Sequence, residues 1–150
     1  MELVAKARAF AARKHASQTR KYTGEPYVCH LEAVARVLQA HGIDQPVILS
    51  AAYLHDTVED TDTTIQELIA EFGDPIAELV YWLTDAEKGN RDSRKLMSAW
   101  RLARAPWDAK LIKLADITDN AGSITDHDPN FGPVYIAEKH VILERMAAIE

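Results

Sequence analysis

Apolar positions recur along this chain at helical spacing almost throughout. Leu3, Ala7, Phe10 and Ala11 fall at i, i+4, i+7 and i+8 and predict a first helix over residues 2–17. Ser17 to Pro26 is polar, contains Gly24, and reads as a loop. Leu31, Val34, Ala35 and Leu38 resume the spacing in a second helix, with Gly42 after His41 as its stop. Pro46 opens a third helix, which carries the small apolar residues 47–52. Thr63-Thr64-Ile65-Gln66-Glu67 offers two overlapping capping boxes, Thr63 with Gln66 and Thr64 with Glu67, for a fourth helix running to about Phe72. Asp74 as N-cap and Pro75 as first residue begin a fifth, buried along Ile76, Leu79, Val80 and Leu83. A polar break over 85–93 precedes a helix near 93–104, which Pro106 ends. Asp108 caps a seventh helix carrying Lys110 to Asp116. Residues 122–133 read as a long loop, of a length uncommon in compact domains and often functional. Tyr135, Ile142, Met146 and Ile149 line one side of a last helix. With no alternating β pattern, repeat or linker, the expectation is an all-α, single-domain bundle of about eight helices over residues 1–150.

Composition narrows what such a bundle does. At 150 residues and 47% apolar content it can bury one sizeable core. The lone Cys29 excludes an intrachain disulfide and any cysteine-rich zinc site, and reads as a small core thiol. No apolar run approaches the roughly 20 residues a bilayer span needs, and no signal-peptide pattern opens the chain. A cytoplasmic location is the default expectation, with no membrane partner. The net charge of −6 argues against a nucleic-acid polymer as partner. Lys6, Arg8 and Arg13 read as a solvated helix face, whereas Arg20-Lys21 sits in the first loop. Trp82, Trp100 and Trp107 read as core.

The chemistry concentrates in Tyr53-Leu54-His55-Asp56-Thr57-Val58-Glu59-Asp60, at the end of the apolar third helix. An unpaired buried carboxylate costs several kcal/mol, roughly, even after the protein relaxes. A bound cation removes that cost, because imidazole and carboxylate together suit a divalent transition metal. Asp116 poses the same problem between Leu114-Ala115 and Ile117, with Lys113 as an alternative partner. His30, His55, Asp56 and Asp116 together offer two neutral imidazoles and two carboxylates, which neutralise a dication and leave coordination positions open. Such a mixed set suits manganese or iron as well as zinc. Glu59 and Asp60 follow closely enough to serve as general base or acid toward a water at that centre. Asp116 and Asn120 are i, i+4 and share a helix face, so Asn120 can reach a ribose or base. Arg20 offers a bidentate fork for phosphates.

These residues stand in Phe10-Ala11-Ala12-Arg13-Lys14-His15, Arg20-Lys21, Gly24-Glu25-Pro26-Tyr27-Val28-Cys29-His30, Ala52-Tyr53-Leu54-His55-Asp56-Thr57-Val58-Glu59-Asp60-Thr61, Phe72-Gly73 and Lys113-Leu114-Ala115-Asp116. In order and spacing the set resembles the HD-domain phosphohydrolases. More narrowly, it resembles the hydrolase domains of the RelA/SpoT family and the small alarmone hydrolases of the SpoT-homolog type. The resemblance implies Mn²⁺-dependent hydrolysis of guanosine tetra- and pentaphosphate, releasing pyrophosphate from the ribose 3′ position. It matches His30, His55, Asp56 and Asp116 to metal ligands, and Glu59 and Asp60 to the acidic pair acting on water. Arg20 and Lys21 match a substrate-binding loop, Asn120 an asparagine one turn beyond the last ligand, and Tyr135 a tyrosine near the nucleotide phosphates.

The chain departs from that pattern in three places. Leu31 replaces a proline after the first histidine, and Tyr22 is an extra residue in the basic loop. After Asp116, where the family usually has a basic residue, Leu, His or Tyr, and Asn, the run here is Ile117-Thr118-Asp119-Asn120. Two other readings therefore stand beside the alarmone hydrolase. One is a phosphohydrolase of another 3′-phosphorylated nucleotide, such as a phosphorylated dinucleotide or an adenosine alarmone. The other is a regulatory module that keeps the metal without turnover.

Overall fold

Nine helices form among the described residues of the computed structural model, which describes residues 2–85, 89–128 and 130–148. In chain order they are α1 (Glu2–Lys14), α2 (Val28–Ala40), α3 (Pro46–Leu54), α4 (Thr57–Asp60), α5 (Ile65–Phe72), α6 (Asp74–Leu83), α7 (Arg91–Ala103), α8 (Trp107–His127) and α9 (Gly132–Ala148). Ile149, residues 86–88 and Pro129 lie outside the described residues. No β-strand forms among the described residues; Thr19 and Pro26 make an isolated bridge that pinches the first loop.

The architecture follows from α3. Ile48, Leu49, Ser50, Ala51, Ala52 and Leu54 are all buried, so this helix is covered on every side. Its small residues let α1, α2, α6 and α8 approach closely, and α5 packs on α6. Phe10 and Phe72 meet edge to face across α1 and α5 at 5.4 Å. Truncating a fully buried residue such as Leu31, Leu49 or Leu54 to Ala is expected to cost about 2–5 kcal/mol. α7 and α9 pair with each other and join the rest through α6 and α8.

Side chains and turns, more than apolar spacing, decide where helices stop. The third helix ends at Leu54, where the Thr57 hydroxyl takes the Leu54 carbonyl at 2.7 Å. His55 and Asp56 form the turn, and Glu59 and Asp60 lie on a separate one-turn helix, α4. Of the two capping boxes, Thr64 prevails, accepting from the Glu67 amide at 3.1 Å. Thr63 is buried and pairs with Thr61 instead. Gly73, at φ +92, joins α5 to α6, so Asp74 is already the first helical residue and not the cap.

Four further expectations are corrected. α8 starts directly behind Pro106, with Asp108 in its first turn and not at its cap. It also runs through 122–127, so the long loop shrinks to a short connection before α9. Gly122 keeps helical backbone and gives no stop, and the Asp128 amide still reaches the Ile124 carbonyl at 2.8 Å. Asp126 and His127, among the polar residues that suggested a loop, are exposed on that helix. Trp100 and Trp107 are not core: they are 51% and 56% exposed, with Arg104 and Lys110 over their rings at 4.4 and 4.8 Å. Cys29 is only half-buried. Among the described residues, no helix is long and apolar enough to cross a membrane.

Candidate metal centre

Four helix ends and faces converge at one point. His30 lies in the first turn of α2, His55 caps the C-terminus of α3, Asp56 precedes α4, and Asp116 lies midway along α8. His30, His55 and Asp116 are buried, and Asp56 is half-buried. One donor atom from each of the four lies within 4.8 Å of the other three. His30 Nε2 is 2.9 Å and His55 Nε2 3.4 Å from Asp116 Oδ1. His55 Nε2 is also 3.2 Å from Asp56 Oδ2.

The outer nitrogen of each ring is committed elsewhere. His55 Nδ1 donates to the Ala52 carbonyl at 2.6 Å, and His30 Nδ1 donates to Asp119 Oδ2 at 2.7 Å. Both rings therefore turn Nε2 toward the shared centre, the orientation a metal ligand needs. Burial alone would lower the pKa of His55, but Asp56 and Asp116 outweigh it and carry it up to about 9. His30 is raised likewise, burial being outweighed by Asp116 and Asp119. Burial pushes the Asp116 carboxyl up, and Lys113, His30 and His55 together hold it well below the usual range. Lys113 Nζ is 3.3 Å from Asp116 Oδ2, so the salt bridge forms beside the cluster and does not replace it. A dication meets the same electrostatic demand as those protons, with two imidazole nitrogens and two carboxylate oxygens as donors. The donor set fits a divalent metal.

Acidic groups stand at the rim. Glu59 accepts from the Asp85 amide, and crowding by the protein, then Asp85, then Asp56, push its carboxyl up to about 7. Asp60 accepts from Gln18 Nε2 at 3.2 Å, and partial burial and Asp56 raise it. The Tyr27 hydroxyl donates to Asp56 Oδ2 at 2.6 Å.

A cleft of about 270 Å³ opens next to the cluster, and Arg20, Lys21, Asn120 and Tyr135 all line it. Tyr22, Tyr27, Arg91 and Phe131 complete much of the wall. Asn120 Nδ2 donates to Asp116 Oδ1 at 3.1 Å, so the cleft borders the donors directly. Arg20 reaches Asp119 at 2.9 Å and Asn120 at 3.4 Å. Burial and Asp116 push the Tyr135 hydroxyl pKa up. A second groove, of about 280 Å³ among Val37, Leu38, Ile43, Leu111 and Leu114, is largely apolar and holds none of these side chains.

Comparison with known proteins adds the decisive observation: the HD-domain model matches residues 7–141. The chain belongs to the HD-domain family. Within that family it is 46% identical over 109 residues to the guanosine-3′,5′-bis(diphosphate) 3′-pyrophosphohydrolase MESH1 of Homo sapiens, covering 71% of this chain and 61% of that protein. It is 40% identical over 126 residues to the guanosine-3′,5′-bis(diphosphate) 3′-pyrophosphohydrolase of Aquifex aeolicus, covering 82% of this chain and 18% of that one. The chain thus spans about three-fifths of the length of the human relative. A solved structure of a metazoan SpoT ortholog, described as hydrolysing ppGpp, superposes with a TM-score of 0.89 at 30% identity, covering 97% of this chain and 86% of that one.

Three residues around the HD-domain site were not singled out from the sequence as contributors to it. Tyr27 was read only as part of a motif, yet it holds Asp56 and lines the cleft. Arg91 sits at the start of α7, far along the chain, and faces the cleft beside Phe131. Asp119 stood out only as a departure from the family pattern. Its i, i+3 relation to Asp116 was the signal that could have placed it on the same helix face.

Proposed function

We propose that residues 1–150 act as one HD-type metal-dependent phosphohydrolase domain. The reaction is hydrolysis of guanosine 3′,5′-bis(diphosphate)-type alarmones, releasing pyrophosphate from the ribose 3′ position with Mn²⁺ as the metal. The observation that carries this reading is the junction of the four-donor cluster with a cleft lined by Arg20, Lys21, Asn120 and Tyr135. The pyrophosphohydrolase names of the human and Aquifex aeolicus relatives support it.

In this reading His30, His55, Asp56 and Asp116 hold the cation. When bound, a divalent metal supplies Lewis acidity toward phosphate oxygens and water. Glu59, with its pKa raised to about 7, accepts a proton from the attacking water near neutral pH, and Asp60 orients that water from the same turn. Arg20 and Lys21 bind phosphates, Arg20 through a planar fork and Lys21 as a point charge. Asn120 reaches the sugar or base, and Tyr135 closes the phosphate side of the cleft. A nucleotide substrate makes the cytoplasm the expected place of action, with no nucleic-acid polymer or membrane as partner.

A second reading keeps the metal and changes the nucleotide. Asp119 and Asp128 bring acid to the cleft wall, Asp128 holding Tyr22 at 3.2 Å, which leaves less free positive charge for a guanosine polyphosphate. Incubation with Mn²⁺ and a panel of 3′-phosphorylated nucleotides separates the two. Pyrophosphate and guanosine 5′-diphosphate from the tetraphosphate support the first reading. Orthophosphate from a phosphorylated dinucleotide or an adenosine alarmone, with the guanosine substrate untouched, supports the second. Metal uptake without any product would leave the regulatory module.

A further inference from the structure

The side chains behind the four donors close into a ring. Asp116 Oδ1 meets His30 Nε2 at 2.9 Å, and the opposite ring nitrogen meets Asp119 Oδ2 at 2.7 Å. The same Asp119 oxygen is 2.9 Å from an Arg20 terminal nitrogen, which also reaches Asn120 Oδ1 at 3.4 Å. Asn120 Nδ2 returns to Asp116 Oδ1 at 3.1 Å. Asp116, Asp119 and Asn120 stand at i, i+3 and i+4 on α8, so one helix face supplies three of the five members. One carboxylate oxygen thus serves a candidate metal ligand and the principal cation of the first loop at once.

We propose that Asp119 is a positioning residue that fixes His30 for the metal and holds Arg20 at the wall of the cleft. The inference rests on the metal-dependent reading above and deepens it. A histidine with a free Nδ1 can rotate and choose either tautomer. A carboxylate accepting from Nδ1 makes that nitrogen the donor, directs Nε2 at the cation and strengthens it as a ligand. His55 achieves the same with a backbone carbonyl, which no side-chain substitution removes. His30 depends on a side chain from another helix. Arg20 has five N–H donors, and its contacts with Asp119 and Asn120 among the described residues use one terminal nitrogen, leaving the others for an anion in the cleft.

The test compares Asp119→Ala, Asp119→Asn and Arg20→Ala with the unaltered chain. Metal affinity is read by calorimetric titration of the metal-stripped protein with Mn²⁺, and KM and kcat are read on guanosine 3′,5′-bis(diphosphate). Asp119→Ala is expected to weaken Mn²⁺ binding by about 10–100-fold. Arg20→Ala should leave that affinity within about threefold, which separates ligand fixing from loop holding. At saturating Mn²⁺, Asp119→Ala should raise KM, and adding Arg20→Ala to it should raise KM little further, since both act through one contact. Asp119→Asn keeps an oxygen for His30 Nδ1 and should recover most of the metal affinity but not the KM.

Mn²⁺ affinity in Asp119→Ala within about threefold of the unaltered chain, at matching far-UV circular dichroism, would overturn the proposal. Should that variant not fold, unchanged KM in the near-isosteric Asp119→Asn would do so. An unaltered chain that takes up no divalent metal would instead overturn the metal-dependent reading itself.

Discussion

Two neighbouring regions treat buried charge in opposite ways. At the four-donor cluster each carboxylate has a partner: Asp116 faces Lys113 and two imidazoles, and Asp56 faces His55 and accepts from Tyr27. Behind the cleft, on α9, Lys139 is buried with its ammonium over the Tyr135 ring at 5.1 Å and no carboxylate at ion-pair distance among the described residues. Lys113 and Lys95 lie close enough to repel it. The first region is organised to receive a cation that completes an existing balance. The second buries an amine without an ion pair beside Tyr135, which lines the cleft. The contrast separates residues whose loss abolishes the site from residues whose loss retunes it.

The sharpest way to break the comparison is His55→Ala. Removing a donor from a balanced cluster should abolish metal uptake and turnover together, measured by elemental analysis and product release. Retained uptake with lost turnover would detach His55 from the metal. Next comes Glu59→Gln, which should keep the metal yet lower kcat by about 10²–10⁴-fold, the usual worth of a general base. Undiminished turnover would return Glu59 to the role of holding the Asp85 amide. Arg20→Ala acts in the cleft and should raise KM by about tenfold with a much smaller change in kcat, because phosphate contacts made before and during reaction are mostly uniform binding. An unchanged KM would reduce Arg20 to a loop strut.

The smallest effect concerns stability. Burial first, then Lys113 and Lys95, lower the Lys139 amine from 10.5 to about 7, although Asp116 and Asp85 act in the other direction. The unfolded chain therefore keeps this proton at pH values where the folded chain has lost it. The contribution of Lys139 is most destabilising below about pH 7, and stability from this group should rise as pH climbs from 7 toward 10.5. Lys139→Met should remove that slope and stabilise the protein at pH 7 by about 1–3 kcal/mol in chemical denaturation. A destabilised variant with the slope intact would show that the amine is well paired after all.

Much of this arrangement is legible from residue types. Acids and histidines inside apolar stretches demand a partner, and the four that were grouped on that ground do converge in space. Helix existence was legible for the same reason, since apolar spacing reports one buried face. Boundaries were less so. Thr57 ends α3 by a hydroxyl contact that no periodicity records, and the continuation of α8 through 122–127 is hard to read because a polar helical stretch and a loop have similar composition. Trp100 and Trp107 misled because large aromatic rings suggest core, while here both are exposed and have cationic groups over their rings. Asp119 was hidden by distance along the chain: its partners Arg20 and His30 come from 99 and 89 residues upstream, Arg20 from the first loop and His30 from α2, on which α8 packs.

α8 is 21 residues long, a rod of roughly 32 Å. It carries the cation-balancing Lys113, the donor Asp116, the ring members Asp119 and Asn120, and, just past its end, the Asp128 that grips Tyr22. A tilt of this rod displaces the donor cluster and the cleft wall as one body. Substitutions at Ser123 or Ile124, in its final two turns, therefore reshape the cleft wall while leaving the four donor side chains in place.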